Sequence, residues 1–288
     1  LAATDSERLA DIHAMFRDPK VDAIMCVRGG YGCGRIADAL DYDLIRRNPK
    51  ILVGFSDITT LNLALLRRAG LISFSGPMLT YTFANHRPRQ FTVGGFLRTL
   101  GRAEPAGSIW QDHPEEEKGE RQFRVVRHGK ARGPLTGGCL SLVAASVGTR
   151  YQIETRGRIV FLEDVDETPY KVDRMLTQLL SAGLLADAAA IVVGRIVPDK
   201  ETQKLEKKRA VQEGLPHVVS PPPRKADREF EMTTDEVLAD LLRPLGIPVM
   251  IGLPFGHIPD YATLPLGVEA SVDTRTGDLV IEEAAVTE

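Results

Sequence analysis

The sequence predicts an α/β protein whose N-terminal part is a parallel sheet packed with helices. Two observations carry that reading. Short apolar runs at 21–27, 50–55 and 71–76 alternate with stretches of helical spacing, the pattern of crossover units that join parallel strands. The glycine-rich "RGGYGCGR" and the serine-bearing "GFSD" directly follow two of those runs. Both corners therefore fall at the carboxyl ends of strands, where open α/β sheets place their ligands.

Residues 4–17 read as the first helix. Thr4 followed by Glu7 is a capping box, and Leu9, Ile12 and Phe16 recur at helical spacing up to Pro19. Strand "VDAIMCV", a helix over 34–40, strand 50–55 and a helix from about Asp57 to Arg68 follow, with Gly70 where a C-terminal cap falls. After about residue 85 the character changes. Residues 1–100 are expected to form the N-terminal domain, and the charged stretch within 101–132 a surface linker. A second domain is expected over 133–288, with strands in "RIVFLEDV", "AAAIVVGRI", "IPVMIGLPFGH" and "GDLVIEEAAV" and an amphipathic helix around "YKVDRMLTQLLSAGLL". The Lys-, Arg-, Glu- and Asp-rich segment 198–230 reads as a solvated excursion.

The 288 residues suffice for one large domain or two ordinary ones. An apolar share of 43%, a charged share of 26% and a net charge of -3 are those of a globular protein. They point to neither nucleic acid nor an anionic membrane as partner. No apolar run reaches the roughly 20 residues of a membrane span, and no signal-peptide pattern is found. Three scattered cysteines, Cys26, Cys33 and Cys139, are expected as free thiols in a reducing compartment, the cytoplasm. No cofactor or metal is expected, because no ligand cluster is found.

Three stretches carry candidate chemistry. In "RGGYGCGRIA", Gly32, Gly34 and Ala37 with Asp57 about 20 residues on satisfy a loose dinucleotide pattern, so a nucleotide-binding oxidoreductase stays a distant alternative. Gly29 and Gly30 can instead offer backbone N–H groups to an anion, or simply form a tight turn. In "GFSDI", Ser56 stands between a strand and a helix, but Ile58 replaces the last glycine of the G-x-S-x-G elbow. Ser56 is then either a helix cap or a nucleophile, with the Asp57 amide and the helix start facing a developing oxyanion. His257 alone of six histidines follows an apolar strand in a loop stiffened by Gly256 and Pro259, which suits a general base or a structural histidine. Glu163 is its candidate carboxylate partner, in competition with Asp164, Asp166 and Glu167.

Taken together, "RGGYG", "GFSDIT", "FLEDVDETPYKVDRML" and "GLPFGH…TLPLG", in this order, closely resemble the LD-carboxypeptidase family. These are serine peptidases of murein recycling, and they include the microcin-immunity carboxypeptidases. The resemblance runs the length of the sequence. It implies a flavodoxin-like N-terminal domain that opens with a strand and helix not found in this sequence, and a swivelling C-terminal α/β domain. It also implies a triad assembled across their interface, with Ser56 as nucleophile, His257 as general base and Glu163 orienting the imidazole. On that basis Gly30 and Asp57 are expected to supply the oxyanion amides, and Arg28 to bind the substrate's terminal carboxylate. The implied substrate is a small murein peptide losing terminal D-alanine, with a microcin-type peptidyl or aminoacyl nucleotide as the alternative and a homodimer as the assembly.

Overall fold

The computed structural model describes residues 2–84, 89–114, 121–198 and 232–287. The charged excursion expected at 198–230 lies almost wholly outside them. The protein is a mixed α/β chain with a parallel-sheet N-terminal domain and a second domain built on a larger sheet.

The first sheet has the order β1 (Ala23–Met25), β2 (Ile51–Val53), β3 (Ser73–Ser75), β10 (Leu264–Leu266). β1, β2 and β3 run parallel, as alternation with helices predicts, and β10 adds antiparallel to β3. Residues 1–100 therefore do not complete this sheet, because "TLPLG" returns from the far end of the chain to form its last strand. Helix Asp5–Arg17 starts with the predicted capping box: Glu7 N–H donates to Thr4 Oγ1 at 3.3 Å, and Thr4 N–H to Glu7 Oε2 at 2.9 Å. Helix Thr59–Ala69 ends at Gly70 with φ of 65°, a left-handed cap. The helix expected over 34–40 is instead a four-residue helix, Cys33–Ile36, continued by a 3-10 turn to Ala39. Helix Tyr42–Arg47 was not anticipated, although Asp41 caps it by accepting Leu44 N–H at 2.8 Å.

The second sheet has the order β4 (Pro105–Ser108), β12 (Asp278–Ala284), β11 (Glu269–Asp273), β6 (Lys130–Cys139), β7 (Ile159–Val165), β8 (Ala190–Val197), β9 (Val249–Gly256), β5 (Arg124–Arg127). Its four central strands, β6 to β9, are parallel. Val160, Phe161, Leu162, Ile191, Val192 and Val193 are completely buried, which is why both strands read as unbroken apolar runs rather than alternating ones. The stretch expected as a linker supplies both edge strands, β4 and β5. Charged residues mark a sheet edge as readily as a loop, because edge strands carry charge to resist pairing with other chains. Trp110, in the same stretch, is fully buried and donates Nε1–H to Gly277 O at 2.8 Å.

The two sheets meet where the C-terminal end of β6 abuts the start of helix Thr59–Ala69. Cys139 N–H donates to Thr59 Oγ1 at 3.1 Å. A Cβ on Gly138 would lie 2.4 Å from Thr59 Cγ2, at a φ of 140° that only glycine adopts readily. Gly138→Ala is therefore expected to cost about 3 kcal/mol through overpacking and strain. The corresponding fall in Tm is roughly 5–10 °C. Calorimetry giving an unchanged Tm would show that the seam is not closely packed there.

Candidate active site

Ser56 leaves β2 through Gly54 and Phe55 and opens a 3-10 turn, Ser56–Ile58, that leads into helix Thr59–Ala69. Its φ is 63°, one of three positive values at non-glycine residues among those described. A left-handed serine costs on the order of 1–2 kcal/mol and persists only where the surroundings enforce it. Its side chain caps neither the 3-10 turn nor the helix, so the capping alternative fails. The half-buried serine stands at a strand-to-helix corner resembling a nucleophile elbow, although Ile58 stands where the familiar motif has glycine.

Across the seam, His257 Nδ1 and Glu163 Oε2 lie 2.7 Å apart. Glu163 is 2% exposed. Burial pushes its carboxyl above the usual range, and the hydrogen bond to His257 opposes that rise. Its other oxygen, Oε1, has no hydrogen-bond partner among the described residues. The register of β7 against β8 shifts past Leu162 through an extra residue on β8, since Leu162 opposes Val193 and Asp164 opposes Ile196; neighbouring residues of β7 face opposite sides of the sheet, which turns Glu163 and Asp164 apart. Gly256 (φ 111°) lets the loop pass close by, since a Cβ there would lie 3.0 Å from Glu163 Oε2. The competing carboxylates are otherwise engaged or placed. Asp164 accepts Ser141 N–H at 2.7 Å and Val165 N–H at 2.8 Å. Glu167 pairs with Lys171 at 3.4 Å, and Asp166 makes the turn after β7 at φ 61°.

The imidazole reaches the serine corner through Phe55. The two rings stand edge to face with centroids 4.7 Å apart, and Phe55 directly precedes Ser56. The role of Phe55 is missing from the sequence reading, where an aromatic inside "GFSD" gives no cue beyond its position.

The glycine corner stands against Ser56. A Cβ on Gly29 would fall 2.7 Å from Ser56 Cβ, 2.9 Å from Ser56 Oγ and 3.4 Å from Asp57 N. Gly30 follows, exposed, at φ 99°, and Arg28, also exposed, has its Nε 3.7 Å from where a Gly30 Cβ would be. Asp57 is 5% exposed, and its carboxylate accepts Cys33 N–H at 2.9 Å. That bond, with only four helical residues after the glycine run, rules out the dinucleotide arrangement. The acidic residue that should face a ribose is spent inside the chain.

The three cysteines are free thiols. Burial pushes all of them up, Cys26 to about 11 and Cys33 and Cys139 further, so none is a thiolate nucleophile at neutral pH. His113 is buried edge-on against Phe91 and Trp110, with centroids 4.6 and 5.1 Å away. Among the described residues no group of three or more His, Cys, Asp or Glu is placed to hold a metal, and no helix is long and apolar enough to cross a membrane.

Comparison with known proteins gives the family. The LD-carboxypeptidase N-terminal domain matches residues 1–76, and the LD-carboxypeptidase C-terminal domain matches 132–272. A probable murein peptide carboxypeptidase of Bacillus subtilis (strain 168) is 37% identical over 291 residues, covering 100% of this chain and 80% of that protein. The microcin C7 self-immunity protein MccF of Escherichia coli is 26% identical over 300 residues, covering 98% and 80%. The crystal structure of muramoyltetrapeptide carboxypeptidase from Oxalobacter formigenes superposes with a TM-score of 0.75 at 29% identity, covering 98% of this chain and 87% of that one. With both halves matched in chain order and a relative aligned along the whole length, the chain belongs to the LD-carboxypeptidase family of serine peptidases.

Proposed function

We propose that the protein removes the terminal D-alanine from a murein tetrapeptide by serine catalysis, with Ser56, His257 and Glu163 as the triad. The observation that carries this is the buried 2.7 Å contact between Glu163 and His257, set against Phe55 at a serine corner held at φ 63°. His257 Nε2 takes the Ser56 proton as Oγ attacks the scissile carbonyl. Glu163 holds the tautomer and stabilises the imidazolium. The amides of Asp57 and Gly30 face the oxyanion, each worth roughly 3 kcal/mol in comparable sites. As the C–N bond breaks, His257 returns the proton to the departing amine, and water then resolves the acyl-enzyme. Arg28, exposed beside the glycine corner, binds the terminal carboxylate.

The relatives named for murein peptides support the substrate class. The free cysteines suit a reducing cytoplasm where recycled tetrapeptides occur, and a homodimer is part of the same proposal, to be checked by light scattering. The test is incubation with murein tetrapeptide and mass detection of D-alanine, with Ser56→Ala as control. Release by the wild type and none by the variant is expected; equal release by both would remove Ser56 from the mechanism. The coverage of the microcin-immunity relative favours a second reading. Cleavage of a peptidyl or aminoacyl nucleotide, with the tetrapeptide untouched, would select it.

A further inference from the structure

The glycine corner has to stay in place against Ser56, yet its composition argues against its doing so unaided. Gly29, Gly30, Gly32 and Gly34 fall within six residues, and glycine loses more conformational freedom on ordering than any other residue. Gly32 adopts φ 120° and ψ −1°, so the peptide unit between Gly32 and Cys33 is the kind that flips most easily. That unit is held at both ends. Its carbonyl accepts from Arg8 Nη2 at 3.1 Å, and its N–H donates to Asp57 Oδ2 at 2.9 Å.

The signs of the two charges match the peptide dipole, with a cation at the carbonyl and an anion at the N–H. A flipped peptide would turn its oxygen toward the carboxylate and its hydrogen toward the guanidinium, losing two charge-assisted bonds and gaining two repulsions. Arg8 is itself fixed by Asp5 at 2.7 Å, and Asp5 also binds Arg35 at 2.7 Å, on the short helix that follows the glycine run. Asp57 is tied to the reaction more directly. Its carboxylate secures the loop, while its backbone N lies 3.4 Å from where a Gly29 Cβ would be.

We infer that Arg8 and Asp57 form a two-ended latch that orients the Gly32–Cys33 peptide and thereby presets the oxyanion donors on both sides of Ser56. They are positioning residues. Preset donors stabilise the transition state without reorganising as charge develops, so the latch acts on kcat and on the reactivity of Ser56 rather than on ground-state binding. The inference rests on the proposed roles of Ser56, Gly30 and the Asp57 amide.

The test compares Arg8→Met, Asp57→Asn, Asp57→Ala and Ser56→Ala with the wild type. Each is assayed for D-alanine release, rate of phosphonylation by a fluorophosphonate, and Tm. Asn keeps an oxygen that can accept Cys33 N–H but not the charge, so Asp57→Asn is expected to lose on the order of 10-fold in kcat, less than Asp57→Ala. Asp57→Ala and Arg8→Met should lower kcat and phosphonylation together, by on the order of 100-fold and 10-fold, with KM within about 3-fold. The double variant Arg8→Met/Asp57→Ala should lose less than the product of the two. Wild-type kcat in folded Asp57→Ala and Arg8→Met, or a loss confined to KM, would overturn the latch. So would equal losses in Asp57→Asn and Asp57→Ala. Full activity in Ser56→Ala would instead overturn the catalytic reading, so the two failures are distinguishable.

Discussion

Ser56→Gly is expected to be catalytically dead and yet more stable than Ser56→Ala. Removing the nucleophile of a serine triad costs on the order of 10⁵-fold or more in kcat, because the remaining members then have nothing to activate. Stability answers to the backbone instead. Position 56 sits at φ 63°, where a Cβ crowds the following carbonyl and glycine does not. Alanine keeps that strain and glycine relieves it, a difference of about 1 kcal/mol. Calorimetry should therefore place the Tm of Ser56→Gly roughly 2–4 °C above that of Ser56→Ala. Equal Tm values would show that the corner relaxes once its hydroxyl is gone, and measurable turnover by either variant would end the nucleophile assignment.

The second large effect belongs to Glu163→Gln. Glutamine is nearly isosteric, so the packing of β7 and the approach of Gly256 survive. Its amide, however, can offer N–H where the imidazole requires an acceptor, and it carries no charge to balance an imidazolium. Comparable changes in other serine triads lower kcat by about 10⁴-fold through the wrong tautomer, and a loss of that order with little change in KM is expected. The same substitution changes how stability depends on pH. Burial raises the Glu163 carboxyl above its ordinary value of 4.5, so between that value and the raised one the folded state binds more protons than the unfolded state. Wild-type stability therefore falls as pH rises through that window. Glu163→Gln removes the titrating group, and denaturant midpoints measured from pH 4.5 upward should fall less steeply for the variant. Parallel pH profiles would show that His257 stabilises the carboxylate enough to cancel its desolvation.

Much of the N-terminal domain was legible because its signals are local. The Thr4–Glu7 capping box, the three apolar runs and the Gly70 cap each depend on residues a few positions apart, and each element formed within a residue or two of its expected place. The helix after the glycine run was overextended, because tertiary demand at Gly32 starts it abruptly and a 3-10 turn ends it. The linker reading failed at its two ends, where charge marked sheet edges rather than solvent. The strand at 264–266 crosses to the other sheet, which no periodicity could announce.

For the site, sequence alone placed Ser56 at a strand-to-helix corner, found the glycine-rich loop, singled out His257 and put the carboxylates at the end of one strand. Order and spacing carry that much, since corners follow from where apolar runs stop. The residues alone left four carboxylates in competition and the family resemblance named Glu163, but only the tertiary structure brings it to the imidazole. Glu163 and His257 are 94 positions apart, and Glu163 and Asp164, as neighbours in one strand, face opposite sides of the sheet. The grip of Arg8 on Gly32 was equally hidden, because an arginine on a first helix looks like any solvated arginine until packing brings a carbonyl within 3.1 Å of it. Local pattern determines where the chain turns; only the closed fold decides which distant groups those turns bring face to face.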